Sequence, residues 1–165
     1  MIKQRKDLAF NHINASYYDF DSLVLQEKEI AEVVPVESSH PLYILYTSGT
    51  TGLPKGIVRD TGGTCVALNF ATNSVYNIQK GDTMQANSDI GWVVGHSYIV
   101  YGPLLVGAAS VFYEGKPIVP NAGKIWEMCA RYNSKTLVLS PTALRAIKKL
   151  DFNGDFIKNT DLSKL

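Results

Sequence analysis

Four hydroxyl side chains and two glycines occupy six consecutive positions, Thr47-Ser48-Gly49-Thr50-Thr51-Gly52, and Leu53-Pro54-Lys55-Gly56 follow. Glycine lets backbone N–H groups turn inward in conformations other residues avoid. Hydroxyls donate to phosphate oxygens, and Lys55 adds a positive charge where the stretch ends. Together these groups meet the needs of a phosphate chain. An ordinary Gly/Ser/Thr surface loop is the competing explanation. Six small residues in a row, between the apolar run Leu42–Tyr46 and Pro-Lys-Gly, favour phosphate binding. The Walker A loop is excluded. It needs Gly before its Lys, Ser or Thr after it, and a helix opening there. Here Pro54 precedes Lys55, Gly56 follows, and helix signals begin only near Thr61.

A second stretch, Ser88–Leu105, carries Trp92, Val93 and Val94 between Gly91 and Gly95. One tryptophan and two valines on a bend make a small apolar pocket suited to a short aliphatic chain. The alternative is a tryptophan that simply packs in the core. His96 reads as a helix-opening cap or packed residue, or as a group that positions substrate rather than moves a proton.

The elements that must hold these residues follow from pattern. Leu42–Tyr46 predicts a buried strand and Ile57-Val58 extended chain. Thr61–Tyr76 predicts a helix capped by Thr61 or Thr64, burying Val66, Ala67, Phe70, Ala71 and Val75. Asn77–Asp82 is a polar turn and Thr83–Asn87 a strand. Helix is expected over His96–Tyr101, with Pro103 near its end, then a strand at Ala109–Tyr113. Ile125, Met128, Cys129 and Tyr132 mark a helix over Asn121–Tyr132, with Asn121 as cap. Thr136–Leu139 is a strand, and Ser140-Pro141 opens a helix whose inner face carries Leu144 and Ile147. Upstream, Leu23–Val34 has helical character, and His12 and His40 read as solvated loop residues. Strands alternating with helices predict the α/β class, a largely parallel sheet flanked by helices. Such sheets bind ligands at the carboxyl ends of their strands, so the Thr47–Gly56 loop and the Asp89–His96 bend are expected to flank one crevice.

The chain has 165 residues, 45 % of them apolar, and a net charge of +1. That length supports one domain with its own core. Near-neutral charge argues against nucleic-acid or polybasic membrane partners, and no run approaches a membrane span. MIKQRKDLAF lacks the apolar core of a secretory signal. Cys65 and Cys129 lie far apart, without metal-type spacing, and read as small buried thiols of a reducing compartment.

YTSGTTGLPKG resembles, at every position, the phosphate-binding motif of the adenylate-forming enzymes: acyl-CoA synthetases, peptide-synthetase adenylation domains and luciferases. DIGWVVGHSYIVYGPLLVGAASVFYEGKP and SPTALRAIKK are similar to segments of short-chain acyl-CoA synthetases, the acetyl- and propionyl-CoA group. The resemblance covers about Asp19–Leu165. It implies part of the N-terminal domain of such an enzyme, with 1–40 a lead-in and 41–165 a partial AMP-binding domain. It further implies that Thr47, Ser48, Gly49, Thr50, Thr51, Gly52, Lys55 and Gly56 hold the β- and γ-phosphates of ATP, bridged by Mg²⁺. Trp92, Val93, Val94, Gly95 and His96 would form the acyl pocket and the approach of the coenzyme A thiol. Val94 stands where the acetate enzymes typically carry Thr, which favours propionate over acetate. Small molecules, namely ATP, a short-chain carboxylate and CoA, are the expected partners. The expected compartment is the cytoplasm or the mitochondrial matrix. The family's Thr-Glu motif, ribose-binding aspartate, CoA-gripping arginines and C-terminal catalytic lysine have no match here. No catalytic residue is therefore assigned, and the isolated chain is expected to be inactive. The alternatives are a peptide-synthetase-type adenylation domain and a truncated nucleotide-binding module without catalysis.

Overall fold

The computed structural model describes residues 2–3, 18–28, 32–50 and 52–165. They fall into two compact units, Met1–Val36 and Glu37–Leu165. In the first, β1 (Ile2–Lys3) pairs in parallel with β2 (Tyr18–Asp19). The Asp19 carboxylate accepts from the Ser22 N–H at 3.0 Å and caps α1, Phe20–Val24. The helix expected over Leu23–Val34 stops at Val24, and residues 32–37 are irregular. Gln26, Glu27 and Lys28 interrupt the apolar spacing, so no continuous face exists to bury. Residues 29–31 and His12 lie outside the described residues.

In the second unit, β3 (Pro41–Thr47) and β4 (Lys55–Asp60) form an antiparallel hairpin, with Tyr43 opposite Arg59, Leu45 opposite Ile57 and Thr47 opposite Lys55. A separate parallel sheet has the order β6 (Ala109–Val111), β5 (Thr83–Asn87), β7 (Thr136–Leu139). The α/β class is as the alternation predicts, with parallel pairing in these three strands. Ladder hydrogen bonds set β3 and β4 together, but the strand is not buried as Leu42–Tyr46 suggested. Tyr43 and Leu45 are half-buried on one face, while Ile44 and Tyr46 on the other are exposed. Alternation of this kind is what a strand covered on one side only produces.

Helix α2 (Thr61–Phe70) is capped by Asp60, whose carboxylate accepts from the Gly63 N–H at 3.1 Å. The Thr61 hydroxyl donates instead to the His40 carbonyl at 2.8 Å. A π-helical turn, Ala71–Val75, continues α2. Its buried face is Leu68 and Thr72, and Val66, Phe70 and Val75 are exposed. Four-residue spacing finds a stripe on a helix, not which stripe meets a partner.

The next helical stretch begins three residues before His96: α3 (Val93–Gly95), a π-helical segment (His96–Tyr101) and α4 (Gly102–Leu105), with Pro103 in the first turn of α4. Strand β6 ends at Val111, two residues short of Tyr113. α5 (Lys124–Arg131) starts later than expected, with Gly123 as cap; Asn121 holds that turn by accepting from the Gly123 N–H at 2.8 Å. Tyr132 is partly exposed, and Trp126 is buried beside Ile125 and Cys129. α6 (Pro141–Leu150) is capped by the Ser140 hydroxyl, as predicted. Ile147 packs on α5, but Leu144 faces outward. α7 (Asp155–Lys158) closes the unit, its first N–H groups held by Asp151.

Two apolar clusters sandwich the parallel sheet. Ile125, Trp126, Cys129 and Ile147 form one, with Leu137 and Leu139 of β7 against them. Ile78, Met84 and Ala108 form the other, with Tyr76, Tyr98 and Val138 against them. Met84, Gln85 and Ala86 of central β5 are buried. The buried Gln85 amide donates to Asn87 Oδ1 at 2.9 Å, which relieves its desolvation. The sheet is thus a packed platform, and the segment after the carboxyl end of β5 inherits its rigidity.

Candidate functional site

Residues 48–50 and 52–54 lie between β3 and β4, at the hairpin's tip. Gly49 and Gly52 adopt φ of +58° and +81°, a region that favours glycine. A Cβ on Gly49 would also strike the Leu53 carbonyl oxygen. The chain therefore doubles back tightly, and the glycines are required by backbone geometry. Thr51 lies outside the described residues. Among the described residues, the side chains of Thr47, Ser48, Thr50 and Lys55 have no hydrogen-bond or ion-pair partner, leaving three hydroxyls and an ammonium free for a ligand. Across the ladder, the Tyr46 ring lies over Gly56, with a Cβ there meeting ring carbons at 3.3 Å.

The second stretch follows the carboxyl end of β5. Asp89 builds the bend: its carboxylate accepts from the Gly91 N–H at 2.7 Å and its carbonyl from the Trp92 N–H at 3.1 Å. Trp92 is extended at φ −105° and ψ 157°, and the helix begins at Val93. Its side chain is 70 % exposed, so it is not a core residue. Gly95 is buried against the Asp89–Ile90 backbone, with no room for a Cβ.

A cleft of about 570 Å³ separates the two stretches. Tyr43, Leu45, Thr47, Ile57 and Arg59 line its hairpin side together with Tyr46 and Ser48, and Gly91, Trp92 and Val93 line the other. The expected crevice between loop and bend is present, at the loop's entry rather than along its whole length. Thr47, Ser48, Trp92 and Val93 are brought together. Gly49, Thr50, Gly52, Lys55, Gly56, Val94, Gly95 and His96 are not in the lining. His96 stands behind the bend, its Nδ1 3.1 Å from the Trp92 carbonyl.

Tyr43 and Arg59 belong to this cleft and escaped the sequence reading. Arg59 is the one charged side chain in the lining, so an anionic group entering there meets a guanidinium suited to carboxylate or phosphate. The sequence signal was the two-residue period Tyr43, Leu45, Thr47, which puts these three on one face. Another cleft, about 360 Å³, lies at the carboxyl ends of β5 and β6 between Asn87–Ile90 and Phe112–Pro117. It contains none of the loop or Trp92–His96 residues. Among the described residues no three His, Cys, Asp or Glu side chains gather as metal ligands.

Residues 4–165 match the family described as AMP-binding enzyme. The chain is 53 % identical over 149 residues to the mitochondrial acyl-CoA synthetase short-chain family member 3 of Bos taurus, covering 90 % of this chain and 22 % of that protein. It is 49 % identical over 147 residues to the mitochondrial acyl-CoA synthetase short-chain family member B of Dictyostelium discoideum, covering 89 % and 21 %. To the propionate–CoA ligase of Salmonella typhimurium it is 45 % identical over 150 residues, covering 89 % and 24 %. The chain thus spans less than a quarter of the length of these relatives.

Proposed function

We propose, from the premise that the chain belongs to the AMP-binding enzyme family, that it is the phosphate- and acid-binding portion of a short-chain acyl-CoA ligase acting on propionate, with acetate the next candidate. A carboxylate oxygen attacks the α-phosphorus of ATP, the bond to the pyrophosphate oxygen breaks, and an acyl-adenylate forms. The CoA thiol sulfur then attacks the acyl carbonyl and AMP leaves. In the first step an anion approaches an anion, so neutralisation and alignment are what the protein must supply.

The observation that carries the reading is the shared cleft: Thr47 and Ser48, at the entry of the phosphate loop, face Trp92 and Val93 across about 570 Å³. In this reading Thr47, Ser48, Thr50, Thr51 and Lys55 hold the leaving phosphates, with the left-handed Gly49 and Gly52 setting the loop's shape. Trp92 and Val93 seat the acyl chain, and Val94, next in the chain but outside the cleft's lining, carries a methyl where the acetate enzymes typically carry a hydroxyl, which is why propionate is placed before acetate. One methylene of selectivity is worth about 1–3 kcal/mol in such pockets. Mg²⁺ would accompany the nucleotide, but the described residues offer it no ligand cluster, and we assign it none of them. The names of the relatives fit either a mitochondrial or a bacterial setting, and we place the protein in the matrix or the cytoplasm.

The test is acid-dependent exchange of pyrophosphate into ATP by the native-length protein. Propionate should support it best. Gly52→Val, which forces a β-branched residue to φ of +81°, should raise the KM for ATP while sparing CoA attack on preformed acyl-adenylate. Equal loss of both half-reactions would count against the loop's role.

A further inference from the structure

Tyr43 belongs to neither motif, yet its ring joins them. It sits on the cleft face of β3, four residues before Thr47. The His96 ring lies over it at 4.9 Å between centroids, tilted by 37°. The Tyr101 ring stacks on it at 5.8 Å and 9°. His96 and Tyr101 are five residues apart. In an α-helix they would point about 140° away from each other. The π-helical segment His96–Tyr101 closes its turns over five residues, and this brings both rings to one tyrosine.

His96 passes the contact on. Its Nδ1 and its backbone N–H each lie 3.1 Å from the Trp92 carbonyl oxygen. A carbonyl only accepts, so in this contact Nδ1 is the donor. The path from phosphate loop to acyl wall therefore runs along β3 to Tyr43, through His96, to Trp92. The loop has a second support, the paired backbone of β3 and β4 up to Thr47 and Lys55. The Trp92 bend has the Asp89 turn and His96.

We propose that Tyr43 is a positioning residue that holds the Trp92 bend, by way of His96, at a set distance from the phosphate-loop strand, and so governs affinity for the acid but not for ATP. This rests on the acyl-CoA ligase reading. Because the β3–β4 ladder holds the loop without the ring, loss of Tyr43 leaves the loop side of the cleft in place.

The test is pyrophosphate exchange by the native-length enzyme with propionate and with acetate. Tyr43→Leu should raise the acid KM roughly tenfold, the worth of an aromatic pair, and leave the KM for ATP within about twofold. Tyr43→Phe keeps the ring and should rescue the acid KM to within about threefold. His96→Leu should reproduce the acid defect, and the double variant should be no worse than His96→Leu alone. If Tyr43→Leu does not fold, His96→Leu and Tyr43→Phe decide the matter on the same split. An equal rise in both KM values, additive defects, or an unchanged acid KM in His96→Leu overturns the inference. A wild-type enzyme that exchanges no pyrophosphate with any short-chain acid overturns instead the function on which it rests.

Discussion

Gly95 tests whether the bend beneath Trp92 is as tightly built as its geometry indicates. Gly95 is helical, with φ −62° and ψ −49°, so its backbone alone would accept any residue. In an ordinary helix, replacing Gly by Ala gains about 1 kcal/mol. Here a Cβ would overlap the Asp89 carbonyl oxygen and lie 2.5 Å from Ile90 Cα and 2.9 Å from the Asp89 carbonyl carbon. All three are main-chain atoms, which cannot rotate aside. Overpacking costs about 1–3 kcal/mol and sometimes more, and backbone obstruction puts Gly95→Ala at the upper end. After the helix gain, a net loss of about 2 kcal/mol remains, which lowers Tm by roughly 4–8 °C for a chain of this size. Gly123 is the comparator. Its Cβ would meet the Phe156 ring at 2.5 Å, but that ring is 40 % exposed and can swing outward. Thermal melts followed by circular dichroism should show a large shift for Gly95→Ala and a smaller one for Gly123→Ala. A Gly95→Ala protein as stable as wild type, or more so, would refute the reasoning.

Asp82 and Lys135 tie the start of β5 to the start of β7 at 2.7 Å. The Lys135 ammonium first, then the Gln79 N–H, hold the Asp82 carboxyl below its ordinary 3.8. A folded-state pKa below the unfolded one gives stability that is present above the ordinary value and lost as pH falls through the folded one. Asp82→Asn should therefore lower Tm at neutral pH and converge on wild type below pH 3.8; a gap that persists in acid would contradict this. Burial pushes the Cys129 thiol up to about 11, whereas Cys65 is only half-buried. A thiol reagent at neutral pH should label Cys65 in the native protein and Cys129 only in denaturant, as read by peptide mapping.

Much of this architecture was legible because local rules decide it. The Ser140-Pro141 cap, the Thr83–Asn87 and Thr136–Leu139 strands and the hairpin-tip glycines each depend on residues within a few positions. The failures depend on distant partners. Val66, Phe70 and Val75 form a clear stripe on α2, but Leu68 and Thr72 meet the rest of the unit. Leu42–Tyr46 reads as one apolar run, and its two faces separate only when β4 is laid beside it. That face carries Tyr43 and pairs it with Arg59, so the site's hairpin side was hidden with it. Trp92 could be read as pocket or core on equal terms, since a bend's exposure depends on how Asp89 turns the chain.

The π-helical segment His96–Tyr101 has a consequence for how sequences of this kind can change length. Its Gly102 N–H reaches back five residues to the Ser97 carbonyl, so the turn stores one residue beyond α spacing. Removing one residue there would return the turn to α geometry and leave the helix phase on both sides almost untouched. Removing one from α2 would rotate everything beyond it by about 100°. Among descendants of a common ancestor, single-residue gaps should therefore collect in the two π-helical turns, at positions 71–75 and 96–101. A protein with a gap in the second keeps its core but loses the five-residue spacing that turns two rings toward one tyrosine.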